Sequence, residues 1–236
     1  MLRAIFICTL LLLLATGCFG GSAPGGVLVI PLTPNAKHQG KTYAEWSVEW
    51  WKWALGQPVS SNPLFDTSGV NAANGQHGTV WFLGATFGDP PTVTRSISVP
   101  EGTALFFPLM NFEEDSAFAP KMSIAEMKDE IATKAGQVSA LQLNVDGQDL
   151  PDLLLLRAKS PAAFSVDLPA GGDDVYMHFG VDAGTRVNTV VSDGYWVFID
   201  PLPPGLHQIS FGGSETEGGA TTTVHATYSV IVAAAK

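Results

Sequence analysis

Asp193-Gly194-Tyr195-Trp196-Val197-Phe198-Ile199-Asp200-Pro201-Leu202-Pro203-Pro204-Gly205-Leu206-His207-Gln208-Ile209-Ser210-Phe211 is the stretch whose reading decides the fold. Residues 195–200 form an apolar run rich in aromatic and β-branched side chains, too short for a globular helix and bounded by turn residues on both sides. Asp193-Gly194 suits a tight hairpin, where glycine accepts positive φ. Pro204-Gly205 suits a type II turn between two strands. Beyond it His207, Ile209 and Phe211 fall on one face of a second strand.

The same signature recurs along the chain. It predicts strands over 27–32, 79–85, 92–99, 104–110, 141–145, 154–158, 164–168, 175–179, 186–191, 195–200, 207–211 and 222–232, with a further tight hairpin at Asp146-Gly147. So many strands with so few helices imply a mainly β protein, an antiparallel β-sandwich of jelly-roll or Greek-key type with two short helices. The first helix opens on the capping box Thr42 to Glu45, runs from Tyr43 to Leu55 and stops at Gly56, with Pro58 beyond. Tyr43, Trp46, Trp50 and Trp53 form a single stripe along it, widened by Val48, Trp51 and Leu55. The second opens on the capping box Ser123 to Glu126, carries Ile124, Met127 and Ile131 on one face, and ends near Gly136.

Upstream of this body the chain carries an address. Met1-Leu2-Arg3 is a short basic start. The apolar run 4–15, with leucine at every position from Leu10 to Leu14, is about 12 residues long, whereas a membrane-spanning helix needs about 20. It has the form of a secretory signal peptide. Its end, Leu14-Ala15-Thr16-Gly17-Cys18, resembles the lipobox of bacterial lipoproteins, although Ala15 stands where that family usually has leucine. The resemblance implies a signal peptide over 1–17 and a diacylated Cys18 at the mature N-terminus. A glycine-rich flexible linker over 18–26 would then join the anchor to a single β-sandwich domain over 27–236. Cys8 leaves with the leader and Cys18 takes the lipid, so the mature domain has no disulfide or thiolate metal site. The expected location is extracytoplasmic, on the bacterial cell envelope, lipid-anchored to a membrane without a transmembrane helix. Ordinary secretion as a soluble protein is the alternative.

Several strings also form a recurring set: Trp50-Trp51-Lys52-Trp53-Ala54, Gly78-Thr79-Val80-Trp81-Phe82-Leu83, Pro100 to Pro108, and Asp193-Gly194-Tyr195-Trp196-Val197 through Pro204-Gly205-Leu206-His207. The set resembles a family of exported bacterial proteins of unassigned function and spans roughly residues 40 to 212, most of the mature chain. It implies export and a single domain, and transfers no active site.

Charge narrows the partners. The formal charge of −10 becomes one unit more negative when Arg3 leaves with the leader, which argues against nucleic acid as a partner. Charged residues make up 14% of the chain against 46% hydrophobic, enough apolar material for a sizeable core.

Two places carry candidate chemistry. Trp46, Trp50 and Trp53 could present flat rings to sugars, or could fill the gap between a helix and an open sheet face. Asn111, Glu113 and Asp115 offer oxygen ligands suited to a hard cation such as calcium, in a loop after the strand 104–110, and His77 in a glycine-flanked loop is free to join them. The other histidines, His38, His178, His207 and His225, show no ligand spacing. There is no G-x-S-x-G elbow, and neither Gly212-Gly213 nor Gly218-Gly219 has the lysine of a phosphate loop. The expectation is a non-enzymatic, lipid-anchored protein without a cofactor that binds a glycan or another envelope protein. The alternatives are a metal-dependent hydrolase or calcium-stabilised module around Glu113 and Asp115, and a structural envelope component.

Overall fold

A computed structural model describes residues 33–234. The leader, Cys18, the linker and the strand expected over 27–32 lie outside the described residues. Ten strands form two five-stranded sheets. In the first, β1 (Val80–Phe82) pairs with β3 (Ala104–Asp115), which pairs with β8 (Arg186–Ile199). The short β6 (Arg157–Lys159) and β7 (Phe164–Asp167) lie along the far edge of β8. The second runs β2 (Thr92–Pro100), β10 (Ala220–Ala233), β9 (Gly205–Glu217), β4 (Val138–Val145), β5 (Gln148–Asp149). The protein is a β-sandwich. Most neighbouring strands are antiparallel, but β1–β3 and β2–β10 pair in parallel.

Both capping boxes form. Helix α1 (Tyr43–Leu55) opens on Thr42 and Glu45, and α2 (Ile124–Gly136) on Ser123 and Glu126. Helix α1 makes the sandwich three-layered. Phe106 of β3 meets Tyr43, Trp46 and Trp196, while its neighbour Phe107 meets Phe211 of the second sheet. Side chains alternate across a strand, so the first sheet has α1 on one face and the second sheet on the other. That explains its sequence: a strand buried on both faces reads as a continuous apolar run, as β3 does over 104–110 and β8 over 195–199. By contrast β2 alternates strictly between exposed and buried residues, as a strand with one solvated face must.

Three expectations are corrected. Residues 186–200 are not two strands around a hairpin: β8 runs unbroken through Asp193-Gly194. Glycine is needed there for space. A Cβ on Gly194 would lie 2.7 Å from Asn111 Cα and 2.8 Å from Met110 O, because β3 bulges between Pro108 and Met110 directly opposite. Residues 175–179 form a helical turn, α3 (Val175–His178), because the Asp174 side chain accepts the Met177 N–H at 2.9 Å and caps it. Residues 153–156 make a 3₁₀ turn with Leu154 and Leu155 exposed, and only β6 beyond it is extended. The segment around Pro204-Gly205 joins two strands, as expected, and carries the chain from β8 in one sheet to β9 in the other. His207 fastens it, its ring nitrogens 2.7 Å from an Asp146 carboxylate oxygen and 2.8 Å from Pro203 O. Asp146-Gly147 does turn tightly between β4 and β5, with φ of 52° and 83°.

Candidate functional site

Helix α1 places its indoles as pegs. Trp46 donates to His38 O (2.7 Å), Trp50 to Leu83 O (2.7 Å) and Trp53 to Asn74 O (3.0 Å). Trp50 and Trp53 are 3% and 4% exposed. Trp46, half-buried, packs its ring among Phe82, Phe106 and Phe198. A stacking platform for sugars needs at least two exposed flat rings, and Trp50 and Trp53 are both buried. The apolar faces of the stripe are used against the first sheet instead.

The β3 bulge re-aims everything after it. Before the bulge Pro108 pairs with Trp196, and after it Met110 pairs with Tyr195 and Asn111 with Gly194. One extra residue in a strand reverses which side the following residues face. Asn111, Glu113 and Asp115 therefore point to the α1 side, in line with Trp196, while Phe112 and Glu114 turn toward α2. They are strand residues, not a solvated loop.

Asp115 is fully buried and already occupied. One oxygen accepts the backbone N–H groups of Ala117 (2.5 Å) and Phe118 (3.0 Å), and the other accepts the Tyr176 hydroxyl (2.9 Å). Glu113 lies beside it, and its Oε2 is shut off from solvent without a hydrogen-bond partner. Burial first, and then the neighbouring Asp115 and Glu114, push the Glu113 carboxyl well above the ordinary glutamate range, against a smaller opposing pull from Lys134. Burial also raises the Tyr176 phenol, with Glu113 and Asp115 adding to the effect. The three groups thus form an enclosed cluster in which Glu113 favours its protonated, donating form.

His77 does not join them. It is exposed, its Nδ1 3.1 Å from Gly75 O, in the loop leading into β1. Val80 of β1 pairs with Ala104 at the opposite end of β3 from Asp115. Eleven residue-to-residue steps along this 12-residue strand, at about 3.3 Å each, separate those ends by more than roughly 30 Å. Among the described residues no group of three His, Cys, Asp or Glu side chains is placed to hold a metal ion, and His77 is not brought together with Asn111, Glu113 and Asp115.

The enclosed acid has a consequence for pH. A carboxyl whose folded pKa is raised stabilises the fold fully at low pH and loses that contribution as pH rises through its folded pKa. Stability at this site therefore falls from the ordinary glutamate range upward, by at most about 1.4 kcal/mol per pH unit for one proton. Glu113→Gln keeps the shape and removes the titration. In urea unfolding at pH 5 and pH 8 the variant is expected to gain relative to the wild type as pH rises. An unchanged difference at the two pH values would show that Glu113 is ionised in the fold.

Sequence reading missed a cleft of about 230 Å³ beside this row. Strand β1 pairs with β3 only as far as Phe106, and the cleft opens beyond it. Trp50, Trp51 and Leu64 wall one side, Phe87 of the following loop another, and residues 108–112 of β3 and Thr222 and Val224 of β10 complete it. Phe87 leads out to a surface of rings: it meets Phe65 and Phe179, and Phe65 meets His178. Phe118, against Tyr176, and Met177 of α3 are also close to half-exposed.

No protein-family model and no curated protein matches the chain. Among solved structures, it is similar to the cysteine protease inhibitor EhICP2 from Entamoeba histolytica, at 12% identity over 67% of this chain and 99% of that one. The TM-score is 0.25, so that likeness carries no argument about fold or function.

Proposed function

We propose that this protein is an exported, lipid-anchored β-sandwich that acts by binding, without catalysis, and that its partner is another envelope protein held at the α3 end of the sandwich. The observation that carries the reading is the ring surface there. Met177, Phe118 and Phe179 are 46%, 47% and 49% exposed, beside the half-buried Phe65 and Phe87. Phe179 meets Phe87, which meets Phe65, and large apolar side chains exposed together favour association with another protein surface. The burial of the tryptophan stripe favours a protein partner over a glycan. Export and the anchor rest on the 1–18 segment and on the resemblance drawn from the sequence.

The test places a photo-crosslinking p-benzoylphenylalanine at position 179 or at position 94, on the solvated face of β2, in the full chain expressed in cells. Position 179 is expected to capture one envelope protein and position 94 none. Cys18→Ser is expected to move the chain out of the membrane fraction and to weaken capture at 179. Equal capture at both positions, or none at 179, would overturn the partner reading. Retention of the Cys18→Ser chain on the membrane would overturn the anchor.

A further inference from the structure

Four rings at the α3 end close a circuit. Phe65 meets Phe87 at 5.2 Å between centroids, Phe87 meets Phe179 at 6.3 Å, Phe179 meets His178 at 5.0 Å, and His178 returns to Phe65 at 4.7 Å. Phe179 is 49% exposed, His178 is exposed, and the other two are half-buried. The charge beside them has one sign. Asp89, two residues beyond Phe87, and Asp182, three beyond Phe179, are both exposed. A chain reaches at most about 3.6 Å per residue, so their Cα atoms lie within about 7 Å and 11 Å of the Cα atoms that carry those rings. Asp66, next to Phe65, adds a carboxylate that accepts the N–H groups of Ser68 and Asn71. No Lys or Arg stands within three residues of any of the four rings. Arg95, which donates to Asp66 O, is fully buried, and Arg186, four residues beyond Asp182, is paired with Asp167.

From this arrangement we infer that the surface receives a basic segment of the partner protein, with an arginine side chain lying against Phe179 and Phe87 within reach of Asp89 and Asp182. The inference rests on the docking role proposed for this surface and adds the chemistry of its partner. Rings and carboxylates together call for one kind of side chain. A guanidinium is planar and weakly hydrated, so it can lie on an aromatic ring and keep its N–H groups free for carboxylates. The quadrupole of the ring attracts the cation. Carboxylates at the rim speed its approach and set its orientation, and the overall charge of −10 acts in the same sense at longer range. Lysine would keep the charge and lose the planar fit. An acidic segment would meet Asp89 and Asp182 as like charges, and a neutral one would gain the apolar contact alone. Arginine is also enriched at protein interfaces and among the residues that carry most of their binding energy.

The experiment uses the full chain, purified in non-ionic detergent with ¹³C-labelled phenylalanine rings, and two probe peptides. One is an acetylated, amidated peptide of two arginines alternating with three glycines. The other replaces both arginines with citrulline, whose ureido group keeps the planar shape without the charge. Ring resonances are followed by NMR, and those of Phe179 are identified by their loss in Phe179→Leu. The arginine peptide is expected to move the Phe179 resonances and to bind about tenfold more tightly than the citrulline peptide, since each cation over an exposed ring contributes about two- to fivefold. Added salt is expected to narrow that gap, and the double variant Asp89→Asn with Asp182→Asn to narrow it about threefold. Equal binding of the two peptides by the wild type, stationary Phe179 resonances, a gap unchanged in the double variant, or no binding of either peptide would overturn the inference. The wild-type comparison decides even if a variant fails to fold. Crosslinking at position 179 could find no partner while the arginine peptide prevails, or capture one while the two peptides tie, so the two readings fail separately.

Discussion

Trp196→Ala is expected to lower the unfolding free energy by about 4–5 kcal/mol, close to the whole stability of a marginal domain. Trp196 is fully buried at the centre of the α1 layer. Its ring stacks on Phe106 with 5.4 Å between centroids and planes 4° apart, and meets Trp50 edge-on at 5.6 Å. Large aromatic-to-alanine changes in cores cost about 3–5 kcal/mol, because the lost transfer energy and the residual cavity add. The surrounding rings cannot collapse into the space: Phe106 also packs on Tyr43 and Phe82, and Trp50 is pinned to Leu83 O. The indole N–H also serves Ala158 O at 3.2 Å, and stranding that carbonyl adds about 1 kcal/mol. Ile231→Ala, on the open face of β10 and 52% exposed, should stay within about 0.5 kcal/mol. Urea unfolding of both variants, compared at constant m-value, checks the prediction. A loss below about 1.5 kcal/mol for Trp196→Ala would mean that α1 does not seal that face of the sheet.

How far this architecture was legible depends on which signals are local. The helix caps were, because Thr42 with Glu45 and Ser123 with Glu126 form contacts within a few residues. The β class was legible too, because turn chemistry and short apolar runs need no tertiary context. Sidedness was not. Once both faces of β3 are buried the period-2 pattern vanishes, and a bulge between Pro108 and Met110 leaves no trace in an unbroken apolar run. The orientation of Asn111, Glu113 and Asp115 depends on that bulge, so these residues read as a polar loop. Asp193-Gly194 misled for the same reason: the glycine answers the crowding of Asn111 across the ladder, which only the paired strand reveals. Residues 175–179 misled because Val-Tyr-Met-His-Phe suits a strand by composition, and the single capping bond from Asp174 outweighs it. The cleft lay outside sequence reasoning altogether, because its walls come from α1, β3, β10 and the loop after β1, which only the tertiary fold brings together.

The second large effect is expected at the ion pair that the misread dipeptide conceals. Asp193 is fully buried in the middle of β8. Arg157 of β6 grips it with two bonds, Nε to Oδ1 at 2.9 Å and Nη2 to Oδ2 at 2.7 Å, and Nη2 also donates to Ala132 O of α2 at 2.9 Å. Lys159 stands farther off, 3.5 Å from Oδ2 with its side chain 60% exposed. One bidentate pair thus joins an edge strand, a central strand and a helix. Breaking a buried pair from one side leaves an uncompensated charge and costs about 3–5 kcal/mol, so Arg157→Ala should approach 3 kcal/mol, with Lys159 supplying part of the lost compensation. Removing both charges is a different perturbation. Buried ion pairs are often matched by apolar residues of similar volume, because their desolvation offsets most of their attraction. The double variant Arg157→Met with Asp193→Leu is therefore expected to recover at least half of what Arg157→Ala loses. Urea unfolding of Arg157→Met, Asp193→Leu and the double closes the cycle. If the double variant loses as much as the singles combined, the pair contributes through shape and the Ala132 contact rather than through charge, and the fold depends on β6 being held in place more than on neutralising Asp193.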